Sequence, residues 1–320
     1  MEQKFNTKAI VGGGALLLAA FFWGFSFIFQ RKAMDFMTPV AYTGLRFTLG
    51  GLLLLPYALH RLRKQMRESA RPGQLLRNNL LWCLGAGSLL VVASALQQYG
   101  IVWTTVAKAG FITSLYVVLV PIVMLLIFRR KINLGEGIGV VLATIGLFLL
   151  SITESLSLSL GDSLVLIGAF VWTFHVIYLG HFSPRMDSFV LGTGQALVCG
   201  AIGIVYIVVR GEMPGLEALR AAWQVLVFGA LMSVTLGFTL QVYGQRDANP
   251  AAAAIILQLE AVFAAICAWI LLDEGMTSRM ILGAAIMLAG VLVSQLWPLF
   301  MGDKKGAEES VKRHDNEAGA

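Results

Sequence analysis

Charge is scarce in this sequence: Asp, Glu, Lys and Arg make up 13% of its 320 residues, against roughly 25% in soluble domains. A chain that is 58% apolar, with mean hydropathy +0.78, therefore lacks the polar surface to cover itself in water, which excludes a soluble globular fold. Cysteine is scarce as well. Cys83, Cys199 and Cys267 lie inside apolar runs without paired spacing, so neither a disulfide framework nor a zinc site is indicated. The four histidines, His60, His175, His181 and His314, make no metal spacing with carboxylates, and no GxxxxGK phosphate loop is present. ATP-driven transport by this chain is thus excluded, and no metal, cofactor or catalytic constellation is expected.

What the sequence has is long apolar runs, near residues 10–30, 39–59, 79–100, 105–128, 134–151, 162–181, 188–209, 222–243, 251–272 and 278–297. At about 1.5 Å per helical residue, each can cross a hydrocarbon core about 30 Å thick. The first run follows Lys4 and Lys8 like a signal peptide, but it is too long and ends in Gln30, Arg31 and Lys32 with no small-residue cleavage site. The expected fold is all-α and integral to the membrane, with ten transmembrane helices.

The net charge of +6 points to topology rather than nucleic acid. A cytoplasmic N-terminus puts 17 of the 24 Lys and Arg residues on the cytoplasmic side and six in outer loops, and leaves Arg46 inside a span. Arg61, Arg63, Lys64, Arg67, Arg71 and Arg77 crowd one cytoplasmic loop, and Arg129, Arg130 and Lys131 another. They read as topology anchors, with anionic lipid contact as a secondary role. Both termini are expected in the cytoplasm of a multi-pass protein in the cell (inner or plasma) membrane. The segment 1–9 is a short cytoplasmic start, and the polar tail 302–320 is expected to be disordered.

The sequence also repeats itself. A shift of 149 carries Phe21, Trp23, Phe25, Ile28, Gly51 and Tyr57 onto Phe170, Trp172, Phe174, Ile177, Gly200 and Tyr206. A shift of 144 carries Leu96, Gln97, Tyr99 and Gly100 onto Leu240, Gln241, Tyr243 and Gly244, and Gly139 and Gly146 onto Gly283 and Gly290. Two five-helix repeats follow, 10–151 and 162–297. Five is odd, so the second unit enters the membrane from the opposite side and the repeats are inverted, as in many alternating-access carriers. A duplication kept only for packing is the bland alternative.

The run LAAFFWGFSFIFQRK, Leu18 to Lys32, resembles the opening span of the EamA family of the drug/metabolite transporter superfamily. PVAYTGLR, Pro39 to Arg46, is similar to that family's second span with its arginine, and FITSLYVVLVPIVMLLIFRRKI, Phe111 to Ile132, to its fourth. Ala253 to Glu274, followed by Gly283 and Gly290, resembles the pattern in which an acidic residue ends the ninth span. The resemblance implies a ten-helix secondary carrier for amino acids, aromatic metabolites, sugars or drugs, often outward. One departure is that the family often has Pro after the Leu-Glu of span nine, where this chain has Ala261 after Leu259 and Glu260, which puts a proline kink there in doubt.

Charge inside a span costs about 2.5 to 3.5 kcal/mol on insertion scales, and Arg46 and Glu260 are the two clear instances. Their backbones differ in depth by roughly 8 Å, a gap that long side chains could bridge. Glu260 is the candidate for binding a substrate cation or carrying a coupling proton, against a fixed pair that only holds its span in register. Arg46 must find a carboxylate, carbonyls, water or an anionic substrate group. Its repeat partner is the neutral Gln195, and the resemblance places an arginine here across differing substrates, so a structural or gating role is the favoured reading. Residues related by the repeat belong near a central axis, which adds Trp23 with Trp172, Gln97 with Gln241, Tyr116 with Glu260, and Ser26 with His175 to a cavity list.

The expected cavity has aromatic walls and few polar groups, suited to an amphipathic small molecule. The plain alternatives are packing for the tryptophans, headgroup anchoring for Tyr99 and Tyr243, and a helix–helix hydrogen bond for His175. The glycine pairs Gly139 with Gly146 and Gly283 with Gly290 each share a helix face and serve either internal packing or a dimer seam, so a monomer and a homodimer both fit. The functional expectation is a secondary carrier exporting an amphipathic metabolite, an amino acid or analogue favoured by the resemblance. An uptake permease or facilitator of the same fold, for a sugar or other metabolite, is the runner-up. A membrane-embedded enzyme or a receptor fits less well.

Overall fold

Helix boundaries follow the short polar and proline residues between the apolar runs. Thr38 precedes Pro39 and its hydroxyl accepts from the Ala41 amide at 3.4 Å. Ser159 and Asp162 form a reciprocal capping box, and the Asp187 carboxylate accepts from the Phe189 and Val190 amides. Asn249 accepts from the Ala252 amide at 2.9 Å, with Pro250 in the tolerated first turn. Each such cap contributes about 1 kcal/mol.

The computed structural model describes residues 7–130, 132–151, 159–272 and 275–297. The expectations for Lys4, Lys131, Glu274 and the tail 302–320 lie outside them. Every regular element among the described residues is helical. In order they are α1 (Thr7–Ala33), α2 (Pro39–Glu68), α3 (Pro72–Trp103), α4 (Val106–Ser114), α5 (Tyr116–Leu126), α6 (Leu134–Ser151), α7 (Leu160–Phe182) and α8 (Ser188–Arg210). Then follow α9 (Leu216–Ala221), α10 (Trp223–Phe228), a π-helical segment (Gly229–Phe238), α11 (Thr239–Gln245), α12 (Pro250–Leu257) and α13 (Glu260–Leu272). The last is α14 (Ser278–Trp297).

Eight helical stretches among the described residues are long and apolar enough to cross a membrane. Two of the ten expected spans fall short of that measure. In α2, Arg46, three glycines and Pro56 dilute the apolar run, and the apolar part of α6, Leu134–Leu150, is short. Apolar side chains both cover the bundle and fill most of its core, with a polar set buried among them. Val209, Leu126 and Ile270 are exposed at its periphery, while Gln30, Gln97, Gln98, Gln195, Gln241 and Gln258 are buried within it. Polar groups buried in a membrane-spanning bundle mark a path or site rather than a passive core.

Close helix contacts run over glycines, since lipid supplies no hydrophobic drive for association. A Cβ built on Gly139 would lie 3.0 Å from the Gly290 carbonyl, and one on Gly146 2.5 Å from the Gly283 carbonyl. The two glycine faces of α6 and α14 therefore close on each other within one chain. That settles their alternatives in favour of internal packing, because the surface a dimer seam would need is already covered.

Two membrane-crossing stretches are broken helices. The α4–α5 stretch tightens at Leu115, whose amide bonds Ile112 O at 3.2 Å. The α12–α13 stretch does the same at Leu259, whose amide bonds Ile256 O at 3.1 Å, and Ala261 N bonds Gln258 O at 3.0 Å. The interruption at Gln258–Leu259 thus forms without the proline whose absence put it in doubt. Tyr116 and Glu260 become the first residues of the following helices.

Candidate functional site

The breaks, α1, α3, α7 and the π-helical segment surround a buried cavity with about 430 Å³ of space between atoms, of which only about 30 Å³ admits the centre of a water molecule. One or a few waters fit, but a metabolite does not without movement of the walls. Trp23, Arg46, Gln97, Tyr116, Trp172, Gln241 and Glu260 all line it. His175 does not. It is fully buried behind the wall, its ring 5.4 Å edge-on from Trp172, with Nε2 3.0 Å from Gln195 Oε1 on the neighbouring α8. Tyr99 and Tyr243 also stay off the cavity, and Tyr243 is 42% exposed.

Aromatic side chains form one wall. Phe238 sits 4.8 Å from Trp23 and stacks 6.0 Å from Trp172. The two indoles are held differently. Trp172 Nε1 donates to Gln97 Oε1 at 2.9 Å, and Gln97 Nε2 donates to Gln30 Oε1 at 3.1 Å. Gln30 in turn donates to Ser26 Oγ at 2.8 Å. Trp23 Nε1 donates instead to the Ser233 carbonyl at 3.1 Å, which leaves Gln241 Oε1 without a protein partner.

Arg46 is buried, with its guanidinium over the rings of Tyr42 and Phe47 at 5.0 and 4.9 Å. Its Nη1 donates to Ser233 Oγ at 3.4 Å and its Nε has no partner. Cation–π contact offsets part of its desolvation. Glu260 is also buried, with Oε1 unpartnered, and Tyr116 and Ser114 lie within electrostatic reach of its carboxyl. Among the described residues Arg46 and Glu260 form no ion pair. The expected bridge across their depth difference is not made, because aromatic rings and Ser233 take up the guanidinium.

Sequence reasoning missed Gln30, Thr113, Ser233, Phe27 and Phe238, which also line the cavity. Gln30 reads as the end of a span because Arg31 and Lys32 follow it, yet α1 continues to Ala33. Ser233 faces inward because the π-helical turns of Gly229–Phe238 shift the register of that span, and no hydropathy pattern encodes the shift. Among the described residues no cluster of three metal-ligating side chains is found.

The EamA-like transporter family matches two stretches, residues 10–152 and 159–296. An "Uncharacterized transporter" of Archaeoglobus fulgidus is 28% identical over 295 residues, covering 91% of this chain and 88% of the relative. The "Uncharacterized inner membrane transporter YedA" of Escherichia coli K12 is 24% identical over 287 residues, covering 88% and 87%. A solved crystal structure at 16% identity superposes with a TM-score of 0.71 over 93% of this chain and 99% of its own, a likeness of fold.

Proposed function

Because the chain belongs to the EamA-like transporter family, and is a multi-pass membrane transporter, we propose that it is a secondary carrier moving a small amphipathic metabolite by alternating access. An amino acid or close analogue is the favoured substrate and export the favoured direction. The observation that carries this reading is the pair of buried, opposite and mutually unpaired charges, Arg46 and Glu260, on one aromatic-walled cavity. An uncompensated buried charge costs several kcal/mol. A zwitterion with an apolar side chain would compensate both, its ammonium at Glu260, its carboxylate at Arg46, and its side chain against Trp23, Trp172 and Phe238.

Glu260 is also the proposed proton carrier. Burial leaves its carboxyl to be neutralised by a proton or by the substrate's ammonium, and competition between them couples the two fluxes. Occlusion of the cavity fits an intermediate between inward- and outward-open forms.

The proposal includes ten crossings in two inverted halves. Reciprocal contacts support it. Gly51 lies against Leu197 as Gly200 lies against Thr48, and Gly139 meets Gly290 as Gly146 meets Gly283. Each set is what the shifts of 149 or 144 and a two-fold exchange would generate. The two separate family matches agree with the same division. On the positive-charge bias, both termini are proposed to be cytoplasmic, in the cell membrane.

The test is flux in proteoliposomes. Amino acids with apolar or aromatic side chains should move, faster with a proton gradient, whereas a panel of neutral sugars should not. The amide groups of Gln30, Gln97 and Gln241 favour the second reading, an uptake permease for a sugar, and sugar flux without amino acid flux would establish it.

A further inference from the structure

A second cavity lies away from the central one, a lateral crevice between α3, α5, α7 and the start of α12 with about 910 Å³ of space between atoms, of which about 420 Å³ admits the centre of a water molecule. Its depth is apolar, walled by Leu89, Met124, Phe128, Phe174, Ile177 and Phe182, and its mouth carries Arg130 and His181. Phe128 and Phe174 are 55% and 42% exposed, so the crevice opens sideways from the bundle, toward acyl chains rather than toward the carrier's centre.

The backbone is arranged to hold the mouth basic. Arg129 takes φ +51°, the left-handed region that favours glycine, and the Arg130 amide then returns to the Met124 carbonyl at 3.0 Å. This helix stop carries Arg130 back to the crevice rim. Behind the rim, Arg185 Nη1 donates to the His181 carbonyl at 2.9 Å, one turn further along the chain. The acid next in the chain, Asp187, is bound by Arg61 at 2.6 Å. Arg130 forms no ion pair among the described residues.

The repeat gives a comparison for this space. The shift of 149 carries Phe25 and Phe29 onto Phe174 and Tyr178, and the shift of 144 carries Leu84 onto Phe228. Beside α1, Phe228 stacks on Phe29 at 3.9 Å and meets Phe25 edge-on at 4.9 Å, so the equivalent gap is filled by protein. Beside α7 the equivalent residue is the smaller Leu84, which does not line the crevice. An apolar slot with an arginine and a histidine at its mouth suits an occupant that is apolar along its length and anionic at one end.

We propose that this crevice is a binding site for an anionic phospholipid, with the phosphate at Arg130 and His181 and one acyl chain against Phe128, Phe174 and Phe182. Basic recesses between helices on the side rich in Lys and Arg suit such headgroups.

The test is native mass spectrometry of the full chain with phosphatidylglycerol or phosphatidylcholine added. The expected result is one phosphatidylglycerol retained in clear preference to phosphatidylcholine. Arg130→Gln, at an exposed residue, should weaken it about fivefold, Arg130→Lys should retain it, and Leu89→Trp should displace it by filling the slot. Equal retention of the two lipids, or retention of phosphatidylglycerol unchanged by Arg130→Gln, would overturn the site. So would Arg130→Gln stopping flux with bound lipid unchanged, which would make the crevice a substrate portal.

Discussion

The Ser114 hydroxyl donates to the Gln258 carbonyl at 3.5 Å, tying together the two helix breaks at positions that the 144-residue shift makes equivalent. The breaks therefore lie side by side. They also place Tyr116 and Glu260, equivalent to one another, on the same cavity. One local irregularity, used twice, positions both a phenol and a carboxyl at the centre of the bundle.

Since the second break already exists without proline, Ala261→Pro should be tolerated. The bond lost is the Ala261 amide to Gln258 O, costing about 1 kcal/mol, whereas Ala265→Pro inside α13 should cost about 3 kcal/mol. Thermal unfolding of the two variants in detergent checks this. Equal destabilisation would mean that α13 behaves as a continuous helix with α12.

Glu260→Gln keeps shape and removes the charge. Affinity for an ammonium-bearing substrate should fall roughly tenfold or more, and the pH dependence of flux should flatten while protein abundance holds. Substrate counterflow measured across pH reads both effects. An unchanged pH profile would remove Glu260 from coupling.

Arg46→Gln separates recognition from scaffolding. If the guanidinium meets a carboxylate, binding of an amino acid should weaken roughly tenfold or more, while binding of its decarboxylated amine stays within about twofold. Loss of both alike, with normal abundance, would assign Arg46 to holding the π-helical segment through Ser233.

Much of this site was readable because repetition and hydropathy act as independent filters. A buried Trp or Gln means little alone, but Trp23 with Trp172 and Gln97 with Gln241 pointed to the centre, and all four line the cavity. His175 passes the same filter but lies off the cavity, because it bonds Gln195 on α8 while Ser26 joins the Gln30 network. Ser233 was invisible for a different reason. Its position depends on i to i+5 turns in Gly229–Phe238, a segment whose Gly229 and Gly237 pack against Tyr42 and Trp23. The unpaired state of Arg46 and Glu260 was also out of reach, since helix depth gives separation along the membrane normal and nothing about rotation around each axis.

The glycine seam yields the last prediction. Gly146 has the Gly283 carbonyl 2.5 Å from where a Cβ would stand, with the Met287 amide at 2.7 Å. Backbone cannot rotate aside as a side chain can, so Gly146→Val must push α6 and α14 apart. Overpacking of this kind costs about 1 to 3 kcal/mol, read as a lower unfolding temperature in detergent. Gly137, with nothing within 4 Å of its Cβ position on the same helix, is the control, and Gly137→Ala should leave the unfolding temperature within a few degrees or raise it. Because the seam is internal to one chain, Gly146→Val should also leave the mass of the solubilised particle unchanged. A shift from dimer to monomer in light scattering would instead place these glycines between two copies.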